Sequence, residues 1–303
     1  MRKETYYSNG KLLITGEYVV LDGALSLALP TKFGQSLIIE PIEEPKLLWK
    51  SYDEQGGIWF ENKFSLDEIN TSKSPHNDIS KHLFDILFSA KQLNPNFLSS
   101  NSGFNITTNL DFSKNWGLGT SSTLINNIAN WAQVDAFKLL HMTFGGSGYD
   151  IASAQNNHPI TYQLLQRKHH IKKVDFNPVF KEHLYFVYLN KKQNSRDGIA
   201  QYKLNKKVST NLIEDINTIT SQIISCNILT DFDKLITTHE TIISKVIKQK
   251  PIKETLFNDF NGAIKSLGAW GGDFILVTST ENPETYFKNK GFETMIPFCD
   301  MVL

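Results

Sequence analysis

Two glycines and a run of hydroxyls, Trp116-Gly117-Leu118-Gly119-Thr120-Ser121-Ser122-Thr123, are the residues of this chain best suited to hold an anion. Glycine lets a backbone approach a charged group closely. A helix start offers unpaired N–H groups at the positive end of its dipole. Ser and Thr in such a place either cap the helix or face a phosphate and its metal. The flanking elements are legible. Asn105–Leu110 alternates like a strand, and Leu124, Ile128 and Trp131 stand at helical spacing after the loop. A glycine turn closed by a Ser/Thr cap is the plainer alternative, and spacing alone does not separate the two. The loop is neither a G-x-x-x-x-G-K-[ST] nor a G-x-G-x-x-G pattern.

Other residues could join that chemistry. Asp150 closes Gly145-Gly146-Ser147-Gly148-Tyr149-Asp150, and capping preference makes it a helix N-cap with the helix running from Ile151. Lys11 is a lone lysine in a strand-rich stretch over residues 5–40. Lys191 to Arg196 form a polar, basic loop after the β-prone run Leu184–Leu189. Lys265 to Phe274 form a second glycine-rich turn, leading into the strand Ile275–Thr278. His239-Glu240 is not a metalloprotease pair, because Ile243 stands where the second histidine belongs.

Composition narrows the class. In 303 residues, 31 Lys and Arg balance 31 Asp and Glu, so no global field favours nucleic acid or an anionic membrane. The 40% hydrophobic and 20% charged content is that of a globular protein. The 2 cysteines, Cys226 and Cys299, form no C-x-x-C and suit a reducing compartment. The N-terminus lacks the apolar core of a signal peptide, and no apolar run approaches the roughly 20 residues of a membrane span. The expectation is a cytoplasmic protein with no nucleic-acid or membrane partner.

The remaining elements fall in order. Leu47–Lys50 and Ile58–Glu61 read as a hairpin turned at Gly56-Gly57. A helix should begin near Asn77 or Asp78 and bury Leu83, Ile86 and Leu87, with His76 and His82 at the surface. Ile160–Gln163 reads as a strand, and helical patterns cover roughly 208–225 and 231–249. A second lobe should start near residue 170.

Three stretches resemble the GHMP kinases, the family of galactose, homoserine, mevalonate and phosphomevalonate kinases, in the right order. Gly10-Lys11-Leu12-Leu13-Ile14-Thr15-Gly16-Glu17 is similar to the first motif, with Asn9 in place of the usual proline. Gly117–Thr123 is similar to the second. Lys265-Ser266-Leu267-Gly268-Ala269-Trp270-Gly271-Gly272-Asp273 is similar to the third, with Trp270 replacing a glycine. The stretch Gly146–Ala154 is similar to the version carried by phosphomevalonate kinases, as are Asp273 and Lys114.

The resemblance implies an α+β, two-lobed fold. Residues 1–168 would form a lobe like ribosomal protein S5 domain 2, and residues 169–303 a ferredoxin-like lobe. It implies ATP and Mg²⁺, with phosphates over Gly117, Leu118, Gly119, Thr120, Ser121 and Ser122, and Ser121 on the metal. Asp150 would be the catalytic carboxylate and Lys11 its basic partner, lowering its pKa and steadying the transferred phosphate. Glu17, Ser147, Gly148, Arg196, Gly268, Ala269, Gly271, Gly272 and Asp273 would line a small-molecule acceptor, foremost phosphomevalonate. Mevalonate kinase, diphosphomevalonate decarboxylase and a non-catalytic ligand sensor stay open. The resemblance leaves room for a homodimer. Mevalonate kinases carry a second metal-binding Glu about eleven residues before the Asp; Leu139 stands there, and Asp135 is the nearest upstream carboxylate.

Overall fold

The computed structural model describes residues 2–71, 78–100, 102–193, 195–204 and 209–303. In chain order the elements are β1 (Glu4–Leu13), β2 (Ser26–Ile42), β3 (Lys46–Tyr52), β4 (Ile58–Ser65), α1 (Leu66–Thr71), α2 (Asp78–Leu93), β5 (Gly103–Leu110), α3 (Thr120–Ala132), α4 (Ala136–Thr143), α5 (Tyr149–Ala154), β6 (Ile160–Leu165), β7 (Lys168–Lys173), β8 (Leu184–Tyr188), α6 (Ser195–Leu204), α7 (Thr210–Ser225), α8 (Leu229–Ile247), α9 (Ile252–Leu256), β9 (Ile264–Ser266), β10 (Phe274–Thr278), α10 (Glu284–Asn289), β11 (Met295–Pro297) and α11 (Phe298–Met301). The mixed α+β class matches the sequence reading.

The chain forms two compact units. The first holds Met1–Gly10, Phe33–Lys114 and Gly119–Gln155; the second holds Lys11–Lys32, Asn115–Leu118 and Asn156–Leu303.

In the first unit the strands run β4-β3-β5-β2, with β3 parallel to β5 and the other pairs antiparallel. The β3–β4 turn is closed by Asp53, whose Oδ1 accepts the amides of Gln55 and Gly57 at 3.1 and 2.7 Å. One face of this sheet is covered by α2, α3 and α4. Leu37, Ile39, Trp49, Phe84, Leu87, Ile125, Ile128 and Ile151 share that core. Trp131 meets Phe97 and Phe104 edge-on at 4.7 and 5.4 Å, a favoured aromatic geometry. Asp78 opens α2, while Asn77, the other expected cap, and His76 lie outside the described residues.

In the second unit, β6 pairs with β7 and with the first residues of β2. Its other sheet has four antiparallel strands in the order β11-β8-β10-β9. Numbered within that sheet, the order is 4-1-3-2, with α7 and α8 between the first two strands and α10 between the last two. This is the split βαβ arrangement of ferredoxin-like folds. Ser209 caps α7 by accepting the Leu212 amide at 3.2 Å. On α8, Phe232, Ile236, His239, Glu240 and Ile243 share the buried face.

The structure departs from the sequence reading at two places. The stretch expected to be a loop through Arg196 becomes α6 from Ser195. Asp150 is not an N-cap: Gly148, at φ 91°, caps α5, and Asp150 lies in its first turn. A left-handed φ is nearly free for glycine and costly for Asp, so the cap falls two residues earlier.

Candidate active site

Residues of all three glycine motifs meet in the second unit. The Lys11 amide donates to the Leu118 carbonyl at 2.9 Å. The Lys11 ammonium donates to the Gly117 carbonyl, also at 2.9 Å. Gly117 sits at φ 69°, and a Cβ there would lie 2.4 Å from Asp273 Cγ, so only glycine admits this approach. Lys11, Trp116, Gly117, Gly268, Asp273 and Phe274 line the resulting small cleft. Trp116 packs edge-on against Phe274 at 5.5 Å, which fixes the start of the loop.

Asp273 organises the neighbouring loop. Its amide donates to Lys191 O at 2.7 Å, its carbonyl accepts the Leu189 amide at 2.8 Å, and its Oδ1 accepts the Gln193 amide at 3.1 Å. Burial pushes its carboxyl above the usual range, opposed by the Gln193 N–H, Lys11 and Lys192. The carboxylate therefore anchors the basic loop to the third motif. Lys191 and Lys192 are exposed beyond it. The Arg196 backbone lies in α6, and its side chain is outside the described ones.

The first unit carries the helix half of the phosphate loop. Gly119, at φ 96°, is the N-cap of α3 and no side chain caps the helix there. The amides that follow are those of Thr120, Ser121 and Ser122, the orphan donors of a helix start. Ser121 is exposed, whereas the Ser122 hydroxyl turns back to the Gly119 carbonyl at 2.8 Å. Thr123 donates to Gln35 Oε1 at 2.7 Å, and Asn127 Nδ2 donates to Gln35 O at 2.9 Å. These buried bonds set the helix rotation. Gln155 Nε2 reaches Asn126 Oδ1 at 3.0 Å, so the end of α5 is tied to α3. That bond and the shared packing of Ile151 fix the helix bearing Asp150, with Ser147 and Gly148 leading into it.

These residues fit a nucleotide phosphate: bare helix amides, glycines at positive φ and an exposed hydroxyl. For a metal, the described residues hold no cluster of three or more His, Cys, Asp or Glu. Asp135 caps α4 by accepting the Phe137 and Lys138 amides, and Leu139 is fully buried. An Mg²⁺ ion that keeps its waters needs few protein ligands, and Ser121 is an exposed hydroxyl at the start of α3.

Glu17 and Trp270, one from the first motif and one from the third, are both buried. Glu17 is fully buried and ion-paired with Lys265, itself fully buried. Its carboxylate is thereby held inside the fold. Trp270 occupies the core with Tyr18, Tyr202, Ile216 and Ile243, despite a φ of 59°. Tyr18 also donates its hydroxyl to Ala269 O at 2.7 Å, which holds the third motif. Lys114 lies over the Trp59 ring at 5.5 Å.

The Glu17–Lys265 pair belongs to a larger buried group that sequence reasoning missed. Lys265 Nζ lies 4.0 Å from Glu240 Oε2 and donates to Ser266 O at 2.9 Å. Glu240 Oε1 accepts the Ser266 amide and hydroxyl at 3.0 and 2.7 Å. His239 Nε2 accepts the Gly16 amide at 2.9 Å and lies 3.6 Å from Glu17 Oε2. Burial pushes both glutamates up, against the pull of Lys265. Burial, then the Lys265 charge, holds His239 well below its usual pKa and so neutral. Through α8 the first motif is bonded to the third. The available signal was the placement of His239 and Glu240 on the apolar stripe of α8, where charged groups are rare unless paired.

No protein-family model and no curated protein matches the chain by sequence. Solved structures do match its fold. The mevalonate kinase of Methanococcus jannaschii has a TM-score of 0.74 at 15% identity, covering 97% of both chains. The phosphomevalonate kinase of Streptococcus pneumoniae, bound to phosphomevalonate and AMPPNP, has a TM-score of 0.70 at 16% identity, covering 97% of this chain and 99% of that one. The galactokinase of Lactococcus lactis, bound to galactose, has a TM-score of 0.68 at 13% identity, covering 95% and 88%. The fold is that of the GHMP kinases over essentially the whole chain. No helix among the described residues is long and apolar enough to cross a membrane.

Proposed function

We propose that this chain is an ATP- and Mg²⁺-dependent kinase of a small metabolite, with phosphomevalonate ahead of mevalonate as acceptor. The observation that supports it most is the meeting of three sequence-distant motifs at Lys11, Gly117 and Asp273. Phosphoryl transfer asks the protein mainly for positioning and charge stabilisation. In this reading residues 1–168 supply the phosphate loop and the carboxylate, and residues 169–303 the third glycine motif and the acceptor loop.

The α3 amides and Gly117–Ser122 hold the nucleotide phosphates. The Ser121 hydroxyl would hold Mg²⁺, which would supply charge neutralisation on the phosphates. Lys11 steadies the transferred group, and Asp150 orients the acceptor oxygen or takes its proton. A phosphate acceptor beside a carboxylate needs extra cations, and Lys191, Lys192 and Arg196 are the residues we assign to it. The anchoring of residues 189–193 by Asp273 supports that assignment.

The deciding experiment compares purified protein on mevalonate and 5-phosphomevalonate with Mg·ATP. A higher kcat/KM on phosphomevalonate is expected, and on that substrate Arg196→Ala raises KM. A higher kcat/KM on mevalonate reverses the order. Nucleotide binding without transfer to either, or to homoserine and sugars, rejects the kinase reading.

A further inference from the structure

The second unit contains a cavity that shares no lining residue with the Lys11 cleft. Its volume is about 680 Å³. Small-molecule sites span roughly 300–1,000 Å³, so one soluble ligand of moderate size fills it. Phe176, Phe298 and Val302 supply an apolar wall, and all three are buried. Phe298 is held between Phe176 and Phe186, with ring centroids at 6.0 and 6.1 Å, so that wall is rigid.

Lys32, Lys173 and Lys181 also line the cavity, against the single carboxylate side chain of Asp175 among its described lining residues. Lys32 donates to Cys299 O at 2.5 Å and Lys181 to Asn177 Oδ1 at 2.9 Å. Both acceptors are neutral oxygens, which orient the ammonium groups without cancelling their charge. A cavity with one apolar wall and an excess of cations suits a molecule with an apolar chain and an anionic head. Three compact ammonium groups favour a multiply charged phosphate over a carboxylate.

We propose that this cavity is a second ligand site, for a soluble aliphatic phosphate. The inference stands on the cavity's own lining and is independent of the kinase reading.

Calorimetry on the full chain tests it with three probes: octyl phosphate, octanol and inorganic phosphate. Each is titrated with saturating Mg·ATP present, which keeps the probes off any nucleotide site. Octyl phosphate is expected to bind one per chain, at least about tenfold more tightly than either half-molecule, or about 1.4 kcal/mol. Lys32→Glu with Lys181→Glu should weaken it by about tenfold or more. Both side chains reach the surface, so the fold should survive, and an unchanged melting temperature checks this. Should the melting temperature fall, Lys32→Gln with Lys181→Gln replaces the pair under the same criterion. Octyl phosphate binding no tighter than octanol or phosphate, or indifference to the charge changes in a folded variant, overturns the site.

Discussion

Lys265 and Glu17, 248 residues apart, form an ion pair from which water is wholly excluded. Removing one partner of such a pair strands the other charge, at a cost of about 3–5 kcal/mol. Lys265→Met should therefore lower unfolding free energy by that amount in urea titration. Lys265→Met with Glu17→Leu should recover much of it, because no lone charge remains. A single variant within about 1 kcal/mol of wild type would mean the pair adds little.

His239 gives the same group a pH signature. Its folded pKa is depressed well below 6.5, so the folded chain refuses a proton that the unfolded chain accepts. Its contribution is present above the unfolded pKa and is lost as pH falls below it, by up to about 1.4 kcal/mol per pH unit. Glu17, Glu240 and Asp273 are raised and act oppositely, gaining stability on acidification. The histidine is isolated by difference. Between pH 7 and 5, wild type should lose stability relative to His239→Gln, whose amide oxygen can still accept the Gly16 N–H. Parallel stability curves would show that His239 takes up its proton in the fold as readily as in the unfolded chain.

Asp150→Asn keeps the size of the side chain and removes its charge. Under the kinase reading turnover falls by about 10²–10⁴, while nucleotide affinity and melting temperature hold. Wild-type turnover would take the catalytic role away from Asp150.

Gly117→Ala tests the close approach to Asp273. The added methyl group meets the Asp273 carboxyl at 2.4 Å and the residue must keep φ 69°. Strain of about 1–3 kcal/mol is expected in chemical denaturation. Gly117→Ala combined with Asp273→Ala removes the clash and should restore part of that loss. Equal losses in the single and double variants would leave backbone strain alone as the cause.

Trp270→Gly restores the residue that the third motif usually carries. The indole is buried among Tyr18, Tyr202, Ile216 and Ile243, so its removal opens a cavity and should cost about 3–5 kcal/mol. ATP affinity should stay within a few-fold in calorimetry at a temperature where the variant is folded. A large loss of affinity with little loss of stability would place the ring at the ligand instead.

The local code was readable because it is short-range. Glycines at 117, 119 and 148 announce left-handed turns, and Leu124, Ile128 and Trp131 announce a helix by spacing alone. The hairpin over 46–65 and the helices α7 and α8 followed from the same periodicities. Tertiary structure decided the partners. No spacing rule links Glu17 to Lys265, or joins His239 and Glu240 on α8 to Gly16 and Ser266; burial forced those charges and amides to find one another. Trp270 stands inside a glycine motif, and nothing in that motif says that its ring turns to the α7–α8 core, where a large apolar surface is sheltered from water. Asp135 looked like a stray carboxylate and caps α4. A side chain's type and its neighbours in sequence dictate what it can do, and only packing decides which of those bonds it makes.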